Sequence, residues 1–372
     1  MRLFVAVVAC VVLTTGAHAG IYSPNEPFLF EIDAEGFAKP IQYSGGFNSI
    51  LAEVREIGMR PQPGLDQVNE RRKKVEARVG DRQARGTSTL PAEEIAGLTA
   101  DLIRLNDNDK ALNILQPLAR DPRRGGFIAY THLARAHAGR GEWREAFEQQ
   151  QMAVRYSDFP TSFRNFTKPQ LAWLKRVERD YYLPWLAHRA DESRRGRPGD
   201  LREDIDVLFP TTQPPKRPED PVQFVGPDGQ YGAGQIAESE RRKLPPDALA
   251  IVQQLVLWHP QDARLYWLLG ELYNADGDVE TAMNILDMCS YAMSYTNPNV
   301  IEHRRVLKSA IDTAIAVKNE QIARERELQL QVERDARKRI WWIVSIAVAL
   351  GLLLIYYQSR EVFRRIRRRM RA

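Results

Sequence analysis

Two cysteines in 372 residues exclude a disulfide framework. One of them, Cys10, falls inside an apolar N-terminal run, so a chain cleaved after that run keeps Cys289 alone. A single thiol makes neither an internal bridge nor a zinc site. Histidine is scarce as well, six in all. His132 and His137 are five residues apart on one predicted helix, about 500° of rotation, so they face different directions; His188, His259 and His303 stand alone. Glycine-rich phosphate loops ending in Gly-Lys-Ser/Thr, H-E-x-x-H, G-x-S-x-G and paired-cysteine motifs are all missing. The expectation is a protein without metal, cofactor or catalysis. Positive charge is also absent where a nucleic-acid surface would need it. The net charge is +5, but residues 358–372 hold seven Arg against one Glu, the first nineteen residues hold one Arg, and the rest is left near −2. The body is not phosphate-seeking, and no nucleic-acid partner is expected.

What is present is 44% hydrophobic residues, 27% charged ones and two long apolar runs. Met1-Arg2, the run Leu3 to Leu13 and Ala17-His18-Ala19 follow the order of a signal peptide, residues 1–19, with a mature start at Gly20. A rival reading takes Val7-Val8-Ala9-Cys10 as a lipidation box, with only about seven apolar residues before it, at the lower limit of an h-region. The second run, 340–357, is uncharged and spans about 27 Å as a helix, enough for a bilayer core. Trp341-Trp342 and Tyr356-Tyr357 mark its two ends as interfacial belts do. A translocated N-terminus with one later stop-transfer segment predicts a single-pass protein of the plasma (inner) membrane. Its domain would be extracytoplasmic (periplasmic) and its 358–372 tail cytoplasmic, with Arg364, Arg365, Arg367, Arg368, Arg369 and Arg371 against anionic headgroups.

Between the runs the chain reads as almost wholly helical. Residues 20–90 open with an arm punctuated by Pro24, Pro27 and Pro40 and continue into short helices over Asn48 to Ile57 and Asp66 to Arg85. From Pro91, Ile95, Leu98, Leu102 and Leu105 recur at helical spacing, Asn106 to Asp109 turns, and Ala111, Leu112, Leu115 and Leu118 make a second apolar face. A helix over Lys168 to Arg194 carries Pro184, a predicted kink. Residues 195–246 hold nine prolines and connect irregularly, with a possible small hairpin turned by Gly226-Pro227-Asp228-Gly229. Residues 247–317 are helical again, 318–339 form a charged, solvated stalk, and 340–357 the span.

The helix hairpin recurs. Tyr130, Leu133-Ala134, Gly141, Ala146, Ala153 and Pro160 in one stretch match Tyr266, Leu269-Gly270, Tyr273, Gly277, Ala282, Leu286 and Pro298 in another. This pattern resembles the tetratricopeptide repeat (TPR), in which small residues let two antiparallel helices approach and bulky ones fill the gap to the next pair. Ala111 and Ala146 are 35 residues apart, Ala248 and Ala282 34. Cys289 stands where the pattern has Ala. The resemblance implies an all-α solenoid in two groups, 91–194 and 247–317. Such solenoids bind a partner segment in a groove lined by the first helix of each pair. By that analogy Thr131, Arg135, Arg264, Trp267, Glu271 and Asn274 would face a protein or peptide partner in the cell envelope. The Lys and Asn set with which some relatives hold a C-terminal carboxylate is not evident. Asn274 to Glu280 has alternating oxygen side chains but lacks the terminal Glu of a calcium loop, and reads as a turn and helix cap. Rival functions are an envelope enzyme with its site in the arm or in 195–246, and a transmembrane signalling element.

Overall fold

The structure is a computed structural model, and it describes residues 21–61, 64, 66–121, 126–163, 166–195, 205–210 and 220–369. The signal-peptide and Cys10 readings fall on residues outside this set. Thirteen α-helices occur among the described residues and no named strand; the only β-type pairings there are the isolated bridges Ile32 to Ala38 and Phe163 to Phe166. The protein is therefore all-α. It divides into two compact units, Met1–Lys308 and Ser309–Ala372.

In the first unit α1 (Asn48–Gly58) and α2 (Asp66–Ala84) precede α3 (Ala92–Arg104), α4 (Asn108–Ala119), α5 (Phe127–Gly139) and α6 (Trp143–Tyr156). After them come α7 (Lys168–Val177), α8 (Leu183–Arg194), the single turn α9 (Glu238–Arg241), α10 (Ala248–Trp258), α11 (Ala263–Ala275) and α12 (Val279–Asp287). Helix α13 runs Pro298–Arg369. The predicted kink near Pro184 is a π-helical turn over Glu178–Tyr182, joining α7 to α8. Pro184 has no N–H to return to the preceding turn, and a widened turn absorbs the missing bond.

Three hairpins, α3–α4, α5–α6 and α11–α12, close on the same turn. In each, a residue with positive φ follows the first helix: Asn106 at 59°, Gly141 at 75° and Gly277 at 90°. In each, the next amide reaches back across the turn: Asp107 N–H to Leu102 O at 2.9 Å, Glu142 to His137 at 3.0 Å and Asp278 to Tyr273 at 2.9 Å. That is the Schellman arrangement, which uses carbonyls left free at a helix end. Four residues later comes an alanine, Ala111, Ala146 or Ala282, wholly buried in all three cases. A larger side chain there would hold the two helices apart. Gly270 on α11 reports the same closeness, since a Cβ added to it would stand 2.9 Å from Leu286 Cδ2 of α12.

Helix α10 differs from the sequence expectation. Ala248 is its first residue, directly after the N-cap Asp247, and does not occupy the fourth-position slot that Ala282 fills. Apolar on nearly all sides, α10 is buried along its whole length apart from Leu249, from Ala250 and Ile251 to Trp258. The arm reaches it: Ile41 N–H donates to Gln253 Oε1 at 2.9 Å, and Gln253 Nε2 donates to Ile41 O at 2.7 Å. Elsewhere the arm buries Ile21 and Tyr22 completely, Tyr22 standing edge-on to Phe127 and Phe163. The turn over 226–229 is made, with Gly226 N–H on Gln230 O at 2.8 Å, but no strands flank it. At the end of α12, a π-helical turn Met288–Ala292 carries the buried Cys289, which accounts for the misfit to the repeat there.

In the second unit residues 309–360 of α13 are exposed almost throughout. The stretch Pro298–Arg360 is long and apolar enough to cross a membrane, with a window of mean hydropathy 2.2 of which none is buried. Of the tail arginines, Arg364, Arg365, Arg367, Arg368 and Arg369 fall on the last turns of α13, and Arg371 lies outside the described residues.

Candidate functional site

The six residues assigned by analogy to an open groove all lie on inward faces of α5 and α11, and all are buried, none more than 4% exposed. The chain itself covers them. Arg135 Nη2 donates to Glu178 Oε1 at 2.6 Å, and Gln150 Nε2 to Glu178 Oε2 at 2.7 Å. The Arg135 guanidinium carbon lies 4.1 Å from the Trp258 ring centre and 5.5 Å from those of Tyr22 and Tyr182. Burial raises the Glu178 pKa, and Arg135 works against that rise. Thr131 returns its hydroxyl to Ile128 O on its own helix at 3.1 Å. Arg264 pairs with Glu192 at 2.7 Å and with Asp206 at 3.0 Å, and Asp206 also takes Arg189 at 2.9 Å. Asn274 holds the Pro-rich connection directly, accepting from Gly234 N–H at 2.6 Å and donating to Gly232 O at 2.9 Å. The expected face is therefore not an open groove: it is covered by the arm, by α8 and by residues 205–210 and 220–234.

Trp267 and Glu271 belong to a different neighbourhood. They form one wall of a cavity of about 800 Å³ whose other walls are two extended pieces, 205–209 and 221–225, and the start of α13. Trp267 Nε1–H donates to Glu271 Oε1 at 2.8 Å, and His303 Nδ1 meets the same oxygen at 2.7 Å. Tyr231 lies flat on the His303 ring, centroids 3.7 Å apart and planes within 7°. Burial, then the nearby Glu271 charge, push the Tyr231 hydroxyl far above the ordinary phenol range. Phe209, Val222 and Phe224 supply apolar wall, while Asn299, Glu302 and Arg305 stand exposed at the rim. The cleft mixes apolar wall with polar groups, among them the buried carboxylates of Glu271 and Asp206 and the imidazole of His303, and its volume is that of a ligand-sized site.

Sequence reasoning left His303 out because its partners lie 32 and 72 positions away, at Glu271 and Tyr231. The other singled-out groups have local explanations. His132 Nδ1 lies 2.8 Å from Thr99 Oγ1, and His137 Nδ1 2.7 Å from Glu142 Oε2. Asp278 caps α12 by accepting from Thr281 N–H at 3.1 Å, and the Asn274 oxygen is committed to Gly234 of the connection, so one serves the helix cap and the other the connection. Cys289 is fully buried, and burial pushes its thiol well above the ordinary range, the reverse of an activated nucleophile. Among the described residues no three His, Cys, Asp or Glu side chains group as metal ligands would. Comparison with protein-family models gives no match, and comparison with curated proteins gives none either.

Proposed function

We propose that the chain is a single-pass membrane protein that holds a TPR-like helical domain outside the cytoplasm as a scaffold for a protein partner. The observation that supports this most is the threefold recurrence of one hairpin, with the same positive-φ residue, the same return bond and the same buried alanine. Recurring hairpins that hide their apolar sides against each other are how helical-repeat proteins build binding surfaces. The exposed apolar stretch in α13 supports the anchor, because an uncovered eighteen-residue run without a charge suits a lipid environment. In this reading the arm and the Pro-rich connection fill the inner face, and the partner uses the cleft they leave beside α11 and α13.

A membrane fractionation with added protease tests the anchor and its orientation. In intact spheroplasts the helical domain is digested and the Arg-rich tail survives; a protected domain would reverse the topology.

The His303–Glu271 pair gives the enzyme reading one specific support, since a carboxylate on Nδ1 orients an imidazole as a base. Among the described residues that line the cleft there is no Ser, Thr or Cys for the imidazole to activate as a hydroxyl or thiol nucleophile. Turnover of a small ester or amide by the purified protein, abolished in His303→Gln, would favour that reading over scaffolding.

A further inference from the structure

Six carboxylates are buried among the described residues: Glu26, Asp101, Glu178, Asp206, Asp247 and Glu271. Five are answered by arginine. Glu26 takes Arg104 at 3.0 Å, Asp101 takes Arg78 at 2.7 Å and Arg82 at 2.6 Å, and Glu178 takes Arg135 at 2.6 Å. Asp206 takes Arg189 at 2.9 Å and Arg264 at 3.0 Å, and Asp247 pairs with Arg176. Glu271 is wholly buried and has no Lys or Arg among its described partners. Its Oε1 serves Trp267 and His303, and the Tyr231 hydroxyl also bonds the carboxylate, so what Glu271 lacks is an arginine or lysine and not hydrogen bonds. A buried carboxylate without a counter-charge is costly unless something supplies one. The exception is also the one of the six that faces the large cleft beside a side chain able to carry a positive charge, His303; Asp206, the other cleft-lining acid among them, already has its two arginines.

We infer that the cleft receives a guanidinium group on an aliphatic stem, the side chain of an arginine in the partner's docking segment, with Glu271 as its counter-ion. The walls suit that group. A planar guanidinium pairs with a carboxylate and stacks on aromatic rings, and Trp267, Tyr231 and His303 present rings around Glu271. The aliphatic stem meets Phe209, Val222 and Phe224. Rim residue Glu302, exposed and already paired with Arg305 at 2.6 Å, adds little. The inference rests on the cleft being the partner site, and it goes further by naming what enters.

Calorimetric titration of the full-length protein in detergent micelles tests it, with n-butylguanidinium, its neutral analogue n-butylurea, and an end-blocked hexapeptide containing one arginine or, as control, citrulline. The expected result is that both guanidinium ligands bind at least tenfold more tightly than their neutral counterparts. Glu271→Gln loses that preference, and Glu302→Gln changes it less than threefold. Because Glu271→Gln alters a buried site, its melting temperature is measured beside a second variant, Phe224→Arg, which brings a guanidinium from the wall and is expected to block both ligands in an intact fold. Equal binding of butylurea, an unchanged Glu271→Gln, or no binding at all would overturn the inference, the last meaning that His303 alone balances Glu271. Binding of butylguanidinium but not of the arginine peptide would overturn the partner assignment. Partner crosslinking without guanidinium binding sinks only this inference; guanidinium-peptide binding without a cellular partner sinks only the scaffold.

Discussion

Arginine 135 joins a buried ion pair to three aromatic rings inside the first unit. It is 1% exposed, bonded to Glu178 and ringed by Trp258, Tyr22 and Tyr182 from three separate parts of the chain. Replacing it with Met keeps the volume but strands a buried carboxylate, so Arg135→Met is expected to cost about 3–5 kcal/mol in urea unfolding. Stability of that variant falls as pH rises above the unfolded carboxylate value, because a folded-state pKa raised by burial favours the protonated form. Adding Glu178→Gln recovers much of the loss and removes that pH dependence. The buried histidines act with the opposite sign. Burial, then nearby arginines, lower the pKa of His132 and His259 well below 6.5. Both therefore stay neutral when folded. Their contribution is fully present above the unfolded imidazole value and is lost as pH drops below it toward the depressed folded value. Thermal melts from pH 8 to pH 5 should show this decline, flattened in His132→Gln and His259→Gln. At this scale the sequence was only half readable. The repeat resemblance set Thr131 and Arg135 on the inner face of one helix and Arg264, Trp267, Glu271 and Asn274 on that of another, but an arginine bound for a buried ion pair looks like a surface arginine until Glu178, 43 positions on, is beside it.

Helices and their turns were the most legible level, because turn chemistry is local. Asp66, Pro91 and Gly141 mark boundaries that the folded chain keeps within a residue or two. The hairpin turns make a quantitative test. Gly277 has φ 90° with nothing within 4 Å of an added Cβ, so Gly277→Ala meets backbone strain alone and should cost about 1–2 kcal/mol. Asn106→Gly, at the equivalent turn, is expected to be neutral or stabilising by a few tenths of a kcal/mol. Gly270→Ala works differently: it drives a methyl against Leu286 and should destabilise by about 1–3 kcal/mol. Chemical denaturation with unchanged m-values would separate all three from changes in compactness. The arm and the connection were not legible in the same way. Tyr22, Ile41 and Gly232 take their positions from Phe127, Gln253 and Asn274, which lie 42 to 212 residues away in sequence, and no local periodicity encodes such pairings.

At the scale of the whole molecule, the helical unit closes its inner face with its own chain and leaves, among the described residues, a cleft of about 800 Å³, and a separate unit carries the apolar stretch. A scaffold that occupies most of its own groove offers less open surface, which predicts a narrow choice of partner. Removing residues 340–357 should release the protein from membranes into the soluble fraction without altering the melting of the first unit, since Ser309–Ala372 is compact by itself. The central claim is that this cleft holds a partner protein. A photo-crosslinking amino acid placed in living cells at Gln230 or Asn299, both exposed on the cleft, and at Glu148 on α6 as a control, tests it most directly. The account predicts one and the same protein adduct from both cleft positions and none from Glu148. Absence of any adduct at the cleft, or identical adducts from all three positions, would contradict it.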